Sequence, residues 1–370
     1  MQVVFVRAAL LLLLWRPSFC NGDNPQQAPR YVVNLDLPPE ERWNEVVADF
    51  EDEIRTLTAN VRRFAPWIGA SEFKIIENIL AKVNKHLSYP YGEEMTGIAK
   101  AAGVPLTHIM MANFMYELSA FNLLNRTFSV GCTTILAQSK SGTVYLARNT
   151  DADTDLLRKL TIIVDFKENG ETVYTGTTFA GYVGLISGQK PNSFTMATNE
   201  RDTGDWWMNG LEALVTGIDG AVLMLIRDTI ADPEMDFKTA VEMTAHRQMI
   251  ASTYIMFGGL EPNEAAVMTM DRTSANSAWW LGTNHTWYLV ETNYDHWKAP
   301  PPGHNWRDAA INAMNNVGQD NISPETLLDV LSVDKVLNKC TVHTSIMSAS
   351  DPGLYNTLLR YPAKSAHDCM

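Results

Sequence analysis

The order of periodicities along the 370 residues predicts an α+β fold of stacked antiparallel sheets flanked by helices. Apolar residues recur at helical spacing through the first third, and from Cys132 the period becomes that of strands broken by hairpin turns. Helical patterns then return before a last group of strands. Long blocks of one kind, without regular alternation of strand and helix, disfavour parallel βαβ winding.

Residues 1–20 carry one early base, Arg7, then an apolar run from Ala8 to Trp15, and close on Arg16-Pro17-Ser18-Phe19-Cys20. That run is too short to span a bilayer, so residues 1–22 read as a secretory signal peptide cut between Cys20 and Asp23. Tyr31 to Leu37 alternates like an edge strand and is stopped by Pro38-Pro39. Trp43, Val46, Val47, Phe50, Ile54, Leu57, Val61 and Phe64 form one helical stripe, and a second amphipathic helix is expected over residues 71–87. A third runs from Thr107 to Phe121, where His108, Asn113 and Glu117 interrupt the apolar run and rule out a membrane span.

Strand periodicity opens at Cys132. Thr133–Ala137 and Thr143–Arg148 flank Ser139-Lys140-Ser141-Gly142, a hairpin with glycine near the end of its turn. If Gln138 pairs with Gly142, Cys132 lies directly opposite Arg148 on one face. Further strands are expected at 160–166, 172–178, 182–186, 194–198, 252–258, 265–271, 286–292 and 341–347. Helices are expected within 207–247 and at 306–316 and 324–333.

A net charge of −13 leaves no basic stripe for phosphate neutralisation and excludes nucleic acid as a partner. Asn125, Asn284 and Asn321 head Asn-x-Ser/Thr glycosylation patterns, in keeping with the secretory pathway. With Cys20 in the leader, Cys132, Cys340 and Cys369 remain, and an odd count in a secreted chain leaves a free thiol or an intermolecular bridge. One solution pairs Cys340 with Cys369 and leaves Cys132 free; in the other reading Cys132 is a small buried apolar residue.

No P-loop, GxGxxG, GxSxG or HExxH pattern is present and the histidines lack metal-ligand spacing, so the simplest expectation is a reaction without cofactor or metal. A papain-type pairing of Cys132 with His296, His304 or His343 lacks the local sequence such enzymes need around the cysteine.

Cys132, Arg148, Asp151 and Asn293 within Glu291-Thr292-Asn293-Tyr294-Asp295-His296-Trp297-Lys298 together resemble the N-terminal-nucleophile cysteine amidases. The nearest branch is that of acid ceramidase and N-acylethanolamine-hydrolysing acid amidase, with the second preferred. Bile-salt and penicillin V hydrolases are more distant relatives. Almost the whole mature chain takes part, through Pro29-Arg30-Tyr31, Asn34 to Pro39, Ala147-Arg148-Asn149, Leu157 to Thr161, Phe179 to Gly184 and Asn199-Glu200-Arg201.

The resemblance implies an αββα four-layer sandwich with a helical N-terminal subunit. The precursor would cut its own Gly131-Cys132 bond at acidic pH, leaving residues 23–131 as an α subunit and 132–370 as a catalytic β subunit, an α/β heterodimer from one chain. A thiol with a reference pKa of about 8.5 needs a base, and a free α-amine with a reference pKa of about 8 on the same residue serves once the amide is cut. Arg148 would favour the thiolate, while Asp151 would orient the α-ammonium and hold Arg148. Asn293, with a backbone N–H from Gly181-Tyr182-Val183, would stabilise the oxyanion, so that Asn293→Ala lowers turnover about 100- to 1,000-fold. Glu200 would shuttle protons or steer self-cleavage, and Arg307 falls near a family arginine.

The substrate implied is a lipid amide, either an N-acylethanolamine or ceramide, in a lysosomal or secreted setting with peripheral contact to membranes or lipid micelles. Tyr182, Val183, Leu185, Trp206, Trp207 and Trp287 are the candidate walls of an acyl slot. A secreted lipid-binding protein without turnover is the alternative of another class.

Overall fold

Side-chain alternation along the strands sorts this chain into four layers. The computed structural model describes residues 23–60, 71, 74, 80, 88–114, 116–117, 130–152, 154–201, 220–302 and 305–363. Residues 1–22, expected as a leader, nearly all of the expected helix at 71–87, and Asn125, Trp206, Trp207, His304 and Cys369 lie outside them.

In chain order the strands are β1 (Gln26–Gln27), β2 (Arg30–Asn34), β3 (Val130–Gln138), β4 (Val144–Ala152), β5 (Thr161–Glu168), β6 (Glu171–Phe179), β7 (Ser187–Lys190), β8 (Phe194–Glu200), β9 (Thr253–Gly258), β10 (Ala265–Met270), β11 (Ala275–Trp280), β12 (Tyr288–Glu291), β13 (Thr341–Ser348) and β14 (Asp351–Leu359). One sheet runs β1-β14-β13-β4-β3-β12 and the other β11-β10-β9-β8-β7-β6-β5-β2. Every pairing is antiparallel except that of β2 with β5 at one edge. The helices are α1 (Asn44–Ala59), α2 (Tyr91–Ala102), α3 (Leu106–Asn113), α4 (Asp155–Leu160), α5 (Val222–Ala231), α6 (Phe237–Ala245), α7 (Trp306–Val317) and α8 (Pro324–Val330).

Period-two alternation decides which layer each strand residue joins. On β3 and β4, Leu136, Val144 and Leu146 point into the core shared with Tyr254, Met256 and Val267 of the opposite sheet. Their neighbours Ile135, Ala137 and Ala147 point outward into a second core with α7 and α8. On β5, Ile163 joins the inter-sheet core, while Ile162, Val164 and Phe166 meet α1, α2 and α5 in a third. The result is helix, sheet, sheet, helix, and the inter-sheet layer holds Cys132.

A buried ionic cluster fastens the N-terminal helices to the rest. Glu94 on α2 accepts from Arg227 on α5 through both carboxylate oxygens, at 2.5 and 2.9 Å, and from the Trp43 indole at 2.8 Å. Arg42 adds a contact at 3.1 Å, and Arg227 also donates to the Val183 carbonyl at 2.8 Å.

Three expectations are corrected. The β3–β4 loop holds five residues, because the Gly142 N–H turns back to the Ser139 carbonyl with φ +96° and the Ser139 N–H takes the Thr143 carbonyl. Gln138 therefore pairs with Val144, so Cys132 faces Thr150 and Arg148 faces Thr134. The two-residue slip keeps Cys132 and Arg148 on one face, as diagonal neighbours. Residues 182–186 form no strand: Gly181 has φ +96°, and a Cβ at Gly184 would stand 2.7 Å from the Leu223 backbone, too close an approach for an ordinary side chain. β1, β7, β11, β14, α2 and α4 were not expected, β14 because it starts at Asp351-Pro352-Gly353.

Candidate active site

Cys132 is free, 2 % exposed, and sits near the start of β3 facing the inter-sheet layer. Its sulfur accepts from the Arg148 guanidinium at 3.0 Å, and Arg148 also donates to the Ile186 carbonyl at 2.9 Å. Burial pushes the thiol up to about 11 against the pull of Arg148, so Cys132 is a protonated thiol. The backbone N–H of Cys132 donates to Asn293 Oδ1 at 2.8 Å, and Asn293 Nδ2 donates to the Glu200 carbonyl at 2.9 Å. An N–H on one side and a carbonyl on the other fix the orientation of that side-chain amide.

Asp151 pairs with Gly131 across the hairpin, and its Oδ2 accepts from Asn338 Nδ2 at 2.9 Å. Its Oδ1 has no partner among the described residues, and burial pushes the carboxyl up to about 6. The expected Asp151–Arg148 ion pair is absent from the described contacts, because residues three apart on a strand point to opposite faces.

The loop after β12 carries Asn293 and is anchored at several points. Asp295 accepts from Arg201 Nε and from the Tyr254 hydroxyl, each at 2.8 Å, and pairs with Lys298 at 2.8 Å. Arg307 donates to the Asp295 and Lys298 carbonyls at 3.2 and 2.7 Å and lies 4.1 Å from the Tyr294 ring centroid. Arg307 is thus corrected from a catalytic candidate to a clamp on the loop that presents Asn293.

Asn199 was not anticipated. It accepts from the Thr134 hydroxyl at 2.7 Å and donates to the Glu291 and Thr292 carbonyls, at 3.1 Å each, tying β8 to the strand end before Asn293. The sequence signal was the polar run Asn199-Glu200-Arg201 at the end of β8 and just beyond it.

A cavity of about 60 Å³ opens beside the sulfur, lined by Cys132, Arg148, Thr150, Tyr116, Phe179, Tyr182, Ile186, Glu200 and Leu223, among others. Tyr182 and Glu200 of the expected set are there; the other described wall candidates are not. Val183 and Leu185 are core residues, the second packed against Gly176 and Gly188. Trp287 is at the far end of the sheet, where its carbonyl accepts from the Gln138 N–H and its ring packs on Tyr288. Of the backbone donors expected in Gly181-Tyr182-Val183, two are engaged, Tyr182 N–H with the Phe179 carbonyl and Val183 N–H with Asn113 Oδ1 at 2.7 Å.

Cys340 is disulfide-bonded, and Asn284 and Asn321 are exposed at the surface. Among the described residues no group of side chains is arranged to hold a metal ion, and no helix is long and apolar enough to cross a membrane.

Residues 26–87 match a family model described as the beta subunit of N-acylethanolamine-hydrolyzing acid amidase. That model attaches "beta" to the N-terminal segment, the reverse of the labels used above. Over 361 residues the chain is 39 % identical to the N-acylethanolamine-hydrolyzing acid amidase of Rattus norvegicus, covering 96 % of this chain and 95 % of that one. It is 31 % identical over 352 residues to the acid ceramidase of Homo sapiens, covering 90 % and 86 %. A solved Caenorhabditis elegans orthologue of N-acylethanolamine-hydrolyzing acid amidase superposes with a TM-score of 0.55 at 34 % identity, over 60 % of this chain and 95 % of that one.

Proposed function

The chain belongs to the family of the N-acylethanolamine-hydrolyzing acid amidases and acid ceramidases, and from that premise we propose that it hydrolyses N-acylethanolamines to fatty acid and ethanolamine after cutting its own Gly131–Cys132 bond. One observation carries the proposal: a buried free thiol 3.0 Å from an arginine, whose own backbone nitrogen is held at 2.8 Å by Asn293.

In the uncut chain that nitrogen is an amide and cannot accept a proton. Attack of the Cys132 sulfur on the Gly131 carbonyl, followed by hydrolysis of the resulting thioester, turns it into an α-amine on the same residue as the thiol it must activate. Asn293 Oδ1 then accepts from the amine. Asp151, opposite the departing Gly131 and with one carboxylate oxygen unpartnered among the described residues, is the counter-charge for the ammonium form.

With substrate bound, the α-amine takes the thiol proton and the thiolate adds to the amide carbonyl. The nitrogen leaves as ethanolamine carrying that proton, and water hydrolyses the remaining thioester. Arg148 supplies positive charge beside the sulfur throughout.

Among the described residues the cavity beside the sulfur holds about 60 Å³, small against the roughly 300–1,000 Å³ of ordinary ligand pockets, which supports reading the uncut chain as a precursor whose acyl slot opens on cleavage. Tyr116, from the N-terminal segment, is one of its walls. Self-cleavage therefore has two tasks, creating the base and freeing that wall to admit an acyl chain. The product is a heterodimer of residues 23–131 and 132–370, and its exposed sequons suit passage through the secretory pathway to the lysosome or the outside.

Hydrolysis of ceramide is the second reading, supported by the 31 % identity to acid ceramidase against 39 % for the amidase. The test is to incubate acid-treated protein with an N-acylethanolamine and a ceramide of equal acyl length and to measure fatty acid, ethanolamine and sphingosine. Faster release of ethanolamine supports the proposal and faster release of sphingosine reverses the order. Binding of both without release overturns the hydrolase reading.

A further inference from the structure

Cys132, Thr150 and His343 form one row across three neighbouring strands. Thr150 is the β4 partner of Cys132 on β3 and also of His343 on β13. Directly opposed residues in such a ladder hold their Cβ atoms about 4.5–5.5 Å apart. All three are buried, and Thr150 lines the Cys132 cavity. The His343 ring meets Phe179, another cavity wall, edge-on with centroids 6.3 Å apart.

Neither ring nitrogen of His343 has a hydrogen-bond partner among the described residues, and neither does the Thr150 hydroxyl or Arg148 Nε. Buried polar atoms are rarely left so, and four around one row point to a shared partner. A neutral imidazole offers one donor and one acceptor and a threonine hydroxyl offers both, which is the complement of water. Burial, reinforced by the charge of Arg148, pushes His343 down to about 3, so the imidazole is neutral even in an acidic compartment.

We propose that Thr150 and His343 hold a buried water beside Cys132, and that this water hydrolyses the acyl-enzyme. The inference rests on the amidase reading above and names the residues that serve its second half. The water oxygen adds to the thioester carbonyl while the Cys132 α-amine takes one of its protons. The C–S bond then breaks, the sulfur recovers that proton from the α-ammonium, and fatty acid leaves. His343 contacts the water and not the acyl carbon, so it is a positioning residue.

The test follows each half-reaction separately in processed wild type, His343→Phe and His343→Gln. Acylation of Cys132 by an N-acylethanolamine is timed by acid quench and intact mass. Decay of preloaded acyl-enzyme is then timed with and without hydroxylamine, a nucleophile that needs no held water. His343→Phe is expected to acylate normally and to lose its acyl group about tenfold more slowly, the size of one ordinary hydrogen bond. Hydroxylamine restores its release, and His343→Gln, which can still hold a water, stays near wild type.

Normal decay in His343→Phe, or equal slowing of both steps, overturns the inference while leaving the amidase reading intact. A wild type that never forms acyl-Cys132 sinks both. Should His343→Phe fail to fold, a high-resolution crystal structure of wild type decides: a water within about 3 Å of Thr150 Oγ1 and a His343 nitrogen is expected, and a water touching neither overturns the inference.

Discussion

Asn293 distinguishes two accounts of the active site. As an oxyanion donor it would act through Nδ2, but in the uncut chain Nδ2 is committed to the Glu200 carbonyl at 2.9 Å, while Oδ1 accepts from the Cys132 nitrogen at 2.8 Å. The geometry favours a residue that holds the nucleophile's own nitrogen. Asn293→Ala removes an acceptor for the α-ammonium, and a hydrogen bond to a charged group is worth about 1.5–3 kcal/mol, or roughly 10- to 150-fold in turnover. Deleting an oxyanion donor costs about 100- to 1,000-fold. Because these ranges overlap, Asn293→Asp is the deciding variant. An aspartate in this part-buried position keeps an acceptor for the Cys132 nitrogen but has no N–H to offer an oxyanion. The expectation for Asn293→Asp in the processed enzyme is turnover within about tenfold of wild type at acidic pH, well above Asn293→Ala. Initial-rate kinetics on protein whose cut at Cys132 has been verified is the assay. If Asn293→Asp is as slow as Asn293→Ala at acidic pH, the amine-holding role is wrong and the oxyanion role is restored.

Two further expectations concern stability. Burial pushes Glu117 from its usual 4.5 up to about 7. Because the folded value is the higher one, its contribution is fully present below the unfolded pKa and is lost as pH rises through 7. Asp151, pushed up to about 6, acts in the same direction. Thermal melts of the uncut Cys132→Ala chain should therefore rise on acidification from neutrality to about pH 5, with Glu117→Gln added to it removing part of the rise, on the order of 3 kcal/mol; a rise unchanged by Glu117→Gln would show that this carboxyl is not its source. Glu94→Ala leaves the buried charge of Arg227 without its carboxylate and should cost about 3–5 kcal/mol, read as a lower Tm and as easier separation of the two fragments by gel filtration after cleavage. An unchanged Tm and an unchanged elution profile would refute the clasp.

What the sequence revealed was local. Strand periodicity from Cys132, and turns such as Asn169-Gly170, whose φ values are +51° and +85°, are properties of neighbouring residues, so the hairpins and the layer order could be read directly. Register is less local: the Gly142 N–H could close onto either of two loop lengths, and the choice moved Arg148 from opposite Cys132 to a diagonal position. β14 was hidden because Pro352-Gly353 reads as a break, yet these residues occupy its exposed first turn, where a missing ladder bond costs little. At the site, Cys132 stands out because cysteines are scarce in this chain, whereas Arg148, Asp151 and Asn293 were singled out by their order and spacing in the family resemblance. Asn199 and Asn338 were not, since asparagines that tie backbone segments together carry no spacing signal. Val183, Leu185 and Trp287 were assigned to the pocket because an apolar wall and an apolar core have the same composition; only packing separates them.

The central claim is that Cys132 becomes its own base by freeing its α-amine. Intact mass and N-terminal sequencing of the protein before and after incubation at acidic pH, beside Cys132→Ala, test it directly. The account predicts a new N-terminus at Cys132 in wild type and an uncut Cys132→Ala chain. A wild type that stays whole, or a cut at another position that appears equally in Cys132→Ala, would contradict it.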